Sequence, residues 1–148
     1  MVTIGIDPGK YGCICILDSD SHFYYDLDLS EDVYNDLRTI KKHWNEAHIF
    51  LETTYIQGRA TRGLMSFLHG RGTLYGACSI LWPGCVHDVR PQEWQKPYDA
   101  PSEYKARKEY FVEIAMEKFP EADIKTKNKD RTSGRADATF IAYYGKQQ

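Results

Sequence analysis

The stretch Val2-Thr3-Ile4-Gly5-Ile6-Asp7, followed at once by Pro8-Gly9, decides how this chain is read. It is an apolar β-forming run that ends on an acid and then turns. A carboxylate rarely enters a core element unpartnered, because its desolvation costs several kcal/mol. The pattern recurs. Glu52 closes His48-Ile49-Phe50-Leu51-Glu52, and Asp137 lies inside Ala136-Asp137-Ala138-Thr139-Phe140-Ile141-Ala142. Three acids at the edges of apolar elements point to a cluster that gathers cations.

Working outward, residues 2–7, 11–18 and 22–28 read as successive strands joined by tight Gly/Pro and Asp/Ser turns, an antiparallel meander. Ser30 is the expected N-cap of a helix in which Val33, Leu37, Ile40 and Trp44 recur at helical spacing. Residues 48–53 follow as a strand that returns from that helix, hence parallel to the first. Between 60 and 82 the apolar set Leu64, Leu68, Tyr75, Cys78 and Trp82 predicts a helix. Gly63, Gly70, Gly72 and Gly76 leave open whether it is continuous with close backbone contacts or broken near 70–72. A short strand over 85–90 stops at Pro91. Ser102 is the expected cap of a helix ending at Pro120, residues 121–134 read as a mobile lysine-rich loop, and a last helix is expected over 134–144. The sum is an α/β fold in one domain over 1–148: a five-stranded mixed sheet, its first three strands antiparallel, with helices on both faces.

Composition excludes several classes. With 148 residues, 42% hydrophobic and 27% charged, the chain fits a globular domain, and no apolar run approaches the ~20 residues that span a bilayer. A cytoplasmic protein without membrane contact is expected. Cys13, Cys15, Cys78 and Cys85 match no zinc spacing, and the first two alternate onto one core-directed face. His22, His43, His48, His69 and His87 are scattered and read as structural. The net charge of −2 conceals a polarity: residues 18–36 hold seven acids and no Lys or Arg, whereas basic residues gather at Arg59/Arg62/Arg71, Lys105/Arg107/Lys108 and Lys125 through Arg135. Such a surface suits a polyanion on one side only.

Asp7 and Glu52 are expected at the carboxyl ends of adjacent strands, where open α/β sheets place their sites, with the last helix delivering Asp137. Oxygen-only ligands select Mg²⁺ or Mn²⁺ over zinc. Two such ions about 4 Å apart can activate water and hold a phosphodiester for in-line displacement.

These residues resemble the RuvC family of Holliday junction resolvases, in its compact, phage-type branch and within the RNase H-like, or retroviral-integrase, superfamily. Ile4-Gly5-Ile6-Asp7-Pro8-Gly9 with Gly12 is similar to the family's first motif, and Phe50-Leu51-Glu52-Thr53-Thr54-Tyr55 to its second. Val89-Arg90-Pro91-Gln92-Glu93-Trp94-Gln95-Lys96 resembles a segment of the compact members, and Gly134-Arg135-Ala136-Asp137-Ala138 the last motif. The first motif alone would also fit an actin-like ATPase; all four in order are specific. The resemblance implies an RNase H-like fold and a magnesium-dependent crossover junction endodeoxyribonuclease. Such an enzyme makes paired symmetric nicks in four-way or branched DNA and leaves 5′-phosphate and 3′-hydroxyl ends. It implies catalysis and metal binding by Asp7, Glu52 and Asp137, two Mg²⁺ ions replaceable by Mn²⁺, no organic cofactor, and a homodimer that matches the two-fold junction. One departure stands out: a fourth ligand common three residues before the last acid is Gly134 here, and Asp130 is the substitute candidate. Tyr55 falls where family members stack an aromatic at the strand crossover. Arg59, Arg62, Lys105, Lys108, Lys125, Lys127, Lys129 and Arg135 are candidate DNA contacts. An RNase H-type nuclease on RNA–DNA hybrids shares the metal chemistry, and a non-catalytic branched-DNA-binding protein would share the surface. Both stay open at this point.

Overall fold

The computed structural model describes residues 1–28, 33–54, 59 and 61–148. Strands β1 (Val2–Asp7), β2 (Cys13–Asp18) and β3 (Ser21–Asp26) form first, followed by helix α1 (Val33–His43), β4 (Ala47–Glu52), α2 (Arg62–Leu81) and β5 (Val86–Val89). Three helices complete the chain: α3 (Pro91–Gln95), α4 (Tyr104–Lys118) and α5 (Lys129–Lys146). The sheet runs β3-β2-β1-β4-β5. β1 pairs antiparallel with β2 and β2 with β3, while β4 lies parallel to both β1 and β5. This is the expected five-stranded mixed sheet. Among the described residues no helix is long and apolar enough to cross a membrane.

The period of two along each strand sorts side chains between two cores. Ile4 and Ile6 of β1, Ile14 and Ile16 of β2, and Ile49 and Leu51 of β4 face α1 and α2, packing on Leu37, Ile40, Leu74, Cys78 and Trp82. The opposite face receives Cys13, Cys15, Leu17 and Phe50, covered by Ala138, Phe140 and Ala142 of α5 and by Phe111 of α4. Gly5 lets α5 lie on β1: a Cβ there would stand 2.3 Å from the Ala142 amide nitrogen and 2.4 Å from the Ala138 oxygen. The four cysteines are free, with Cys13, Cys15 and Cys78 buried.

Helix boundaries moved where side-chain caps outcompeted the local pattern. α2 is continuous through all four of its glycines, with no break near 70–72, and starts under Thr61, whose hydroxyl accepts from the Leu64 amide. Glu103, not Ser102, caps α4, accepting from the Lys105 and Ala106 amides. Pro91 does more than stop β5. It opens α3, where the Glu93 carboxylate accepts from the Arg90 amide and the Glu93 amide donates to the Arg90 oxygen. The segment read as a loop to 134 is shorter. Asn128 caps α5 by accepting from the Asp130 and Arg131 amides, so the last helix begins at Lys129. Ser30, the expected cap of α1, and Tyr55 lie outside the described residues.

Candidate active site

Asp7 is the last residue of β1 and Glu52 the last of β4. Because Ile6 is in register with Leu51, the next residue of each parallel strand is an acid, and both fall on the sheet face that α5 covers. Asp137 comes from the third turn of α5, one residue before the Ala138 oxygen that rests over Gly5. Three elements that are distant in the chain thus turn an acid toward one rim of the sheet.

The electrostatics show that the three sense one another. Burial pushes Glu52 up from an ordinary 4.5 to about 8, with Asp7 and Asp137 adding repulsion and the Trp94 hydrogen bond and Lys108 opposing it. Asp137 is raised to about 6, again first by burial, with the Lys108 ammonium pulling down and Asp7 pushing up. Asp7 is raised by burial against Lys108 and the Gly9 amide. Asp7 and Asp137 are 8% and 3% exposed, too little for water to neutralise them.

Each carboxylate has a partner that orients it. The Gly9 amide donates to Asp7 Oδ1 at 3.0 Å, and Trp94 Nε1 of α3 donates to Glu52 Oε1 at 2.9 Å. Lys108 Nζ of α4 forms an ion pair with Asp137 Oδ2. Trp94 stands in the sequence inside the Val89–Lys96 motif, with no local pattern that ties it to Glu52. The detectable signal was Arg90-Pro91-Gln92-Glu93, a helix start that aims the next residue inward. Lys108, one of the candidate phosphate contacts, lies against the acids rather than out on the basic surface.

Among the described residues no group of three or more His, Cys, Asp or Glu side chains is arranged so that it could hold a metal ion. Mutually repelling carboxylates do not close up without a cation between them, and here the nearest positive charge is the Lys108 ammonium. The donor chemistry nevertheless fits a hard divalent ion. It comprises three oxygen ligands, recessed, with raised proton affinity and held by neighbouring amide and indole donors.

The other candidates divide by exposure. Arg59, Arg62, Lys105, Lys125, Lys127 and Lys129 are exposed. Arg135 is not free: its guanidinium holds Asp26 Oδ1 and Oδ2 at 2.9 Å each and Asp123 Oδ2 at 3.2 Å. A phosphate contact by Arg135 would have to break that fork. Asp130 is exposed in the first turn of α5, outside the buried trio. Gly134 cannot be exchanged for a ligand by simple substitution, because a Cβ there would meet the Tyr11 oxygen at 2.1 Å.

A pH prediction follows from the raised carboxyls. Between about pH 4.5 and 8 the folded protein binds more protons than the unfolded chain, so stability falls as pH rises through that window. Thermal melting of metal-free protein should drop by roughly 5 °C or more from about pH 5 to pH 8. Millimolar Mg²⁺ should recover most of that loss at the upper end and little at the lower. A melting temperature indifferent to Mg²⁺ at both ends would contradict the ligand set.

No family model matches the sequence, and no curated protein matches it. Solved structures do match. RuvC of T. thermophilus in complex with a Holliday junction substrate aligns over 99% of this chain and 96% of that one, with a TM-score of 0.63 and 12% identity. The Fowlpox virus resolvase with substrate Holliday junction DNA aligns over 99% of both chains, with a TM-score of 0.62 and 12% identity. A second Thermus thermophilus RuvC structure covers 99% and 96%, at 0.62 and 12%. At such identity the likeness is one of fold: this chain has the RNase H-like architecture that these resolvases share.

Proposed function

We propose that this protein is a divalent-metal-dependent endonuclease that resolves Holliday junctions and related branched DNA. The observation that carries the reading is the convergence of Asp7, Glu52 and Asp137 on one rim of the sheet, where Asp7 raises the proton affinity of both Glu52 and Asp137, and Asp137 that of Glu52. Support also comes from fold neighbours solved with Holliday junction DNA. Nothing comparable favours the RNA–DNA hybrid alternative. An intact acidic trio speaks against a purely binding role.

In this reading Asp7, Glu52 and Asp137 hold Mg²⁺, which Mn²⁺ can replace. The bound ion supplies Lewis-acid chemistry, acidifying water and neutralising phosphate charge, so that hydrolysis leaves 5′-phosphate and 3′-hydroxyl ends. The protein contributes position. The Gly9 amide and the Trp94 indole hold two carboxylates at the ends of the paired strands β1 and β4. The exposed Arg59, Arg62 at the start of α2, Lys105 on α4 and Lys125, Lys127 and Lys129 before and at the start of α5 are proposed to track the phosphates. We further propose that two copies pair about a two-fold axis to nick both strands of a symmetric junction. The outward side of α2 exposes Met65 and Ile80, at 57% and 70%, and is the surface proposed for that pairing.

Purified protein with Mg²⁺ should cut a labelled four-way junction while sparing a plain duplex and an RNA–DNA hybrid. Binding should weaken steeply with salt as phosphate neutralisation releases counterions, by roughly a thousandfold between 50 and 200 mM if about six phosphates are contacted. Preferential cutting of the hybrid would replace this function with the RNase H alternative.

A further inference from the structure

The basic triplet on α4 is not used uniformly. Lys105 is exposed, and Arg107 turns away to donate to the Ser102 oxygen at 2.8 Å. Lys108 alone enters the acidic site. Its side chain is 33% exposed, whereas the Asp137 side chain it pairs with is 4% exposed. The same ammonium acts electrostatically on Asp7 and Glu52. A lysine in that position costs solvation energy that only a concentrated negative charge returns.

Charge counting gives this contact a consequence. Among the described residues the site holds three carboxylates, Asp7, Glu52 and Asp137, and one ammonium, a sum of −2 when all are ionised. One divalent cation balances it; two would leave an excess of +2 in a recessed site. More acid cannot readily be added from α5. The position three residues before Asp137 is Gly134, whose α-carbon lies so near the Tyr11 oxygen that any side chain would collide.

We propose that Lys108 is a tethered cation occupying one of the positive positions of the site, so that each chain takes up a single divalent ion. This rests on the nuclease reading above and deepens it, revising the two-ion expectation drawn from sequence. The substrate phosphate would then meet one metal charge and one ammonium charge, the latter supplied by the chain itself and held in place by Asp137.

The test is titration of Mn²⁺ into the DNA-free protein, with free Mn²⁺ followed by electron paramagnetic resonance. It reads affinity and stoichiometry without any turnover. Wild type should bind one ion per chain. Lys108→Met removes a like charge from beside the metal and should tighten binding on the order of tenfold. Lys108→Arg keeps the charge and should stay at wild-type affinity. A second ion of comparable affinity in the wild type, a count that needs no variant, overturns the proposal. So does unchanged affinity in a Lys108→Met protein that melts like wild type. The two layers separate: two ions with junction cutting would leave the nuclease standing and remove only the tethered cation. No uptake of Mn²⁺ at all would remove both.

Discussion

Asp7→Asn should abolish junction cutting while leaving junction binding within about threefold of wild type. The loss should be roughly a thousandfold or more, since a metal ligand supports several kcal/mol of transition-state charge stabilisation. The substitution isolates charge from shape. Asparagine has the same size, and its Oδ1 can still accept from the Gly9 amide that now meets Asp7 at 3.0 Å. Burial works against the ionised carboxyl, so removing its charge relieves an unfavourable term in the metal-free protein. The variant should therefore melt at or above the wild-type temperature without metal, and should lose most of the Mg²⁺-induced rise. Junction cleavage, gel-shift binding and thermal melting together check this. Equal loss of binding and cutting, with a lowered melting temperature, would make Asp7 a structural residue and leave the site without its first ligand.

Gly5→Ala should destabilise the protein by ~3 kcal/mol or more and should yield insoluble product on expression at 37 °C. One methyl group is enough because it would enter backbone, not side chain: the Ala142 amide nitrogen at 2.3 Å and the Ala138 oxygen at 2.4 Å. Neither can move without lifting α5 off the sheet, and α5 carries Asp137. Gly63→Ala makes the control. Among the described residues its added Cβ would meet only Oγ1 of the N-cap Thr61, at 3.9 Å. There the substitution should be neutral or stabilising by up to ~1 kcal/mol, as helix propensity alone dictates. Urea denaturation of the two variants separates the effects. A Gly5→Ala protein as stable as wild type would mean that α5 does not sit so close to β1.

These two positions also mark how far local sequence reaches. The strand runs, the meander and the acids at the ends of β1 and β4 were legible because alternation and turn residues are properties of neighbouring positions. The parallel return of β4 was legible too, since a helix between two strands leaves few other connections. Helix starts were less so. Asn128 and Glu103 cap α5 and α4 through side-chain acceptors that compete with several equally plausible residues nearby, and their choice depends on where the chain must enter.

By itself, the sequence determined that three acids end or interrupt apolar elements and that an α/β sheet would gather two of them. The tertiary structure decided what those acids meet. Lys108 reaches Asp137 across 29 residues of chain, and Arg135 meets Asp26 across 109, so two candidate DNA contacts each have an acidic partner that the sequence did not indicate. The physical reason is range. Backbone periodicity is written over a few residues, whereas the partner of a buried charge is whichever opposite charge packing brings within a few ångströms, and no local pattern carries that information.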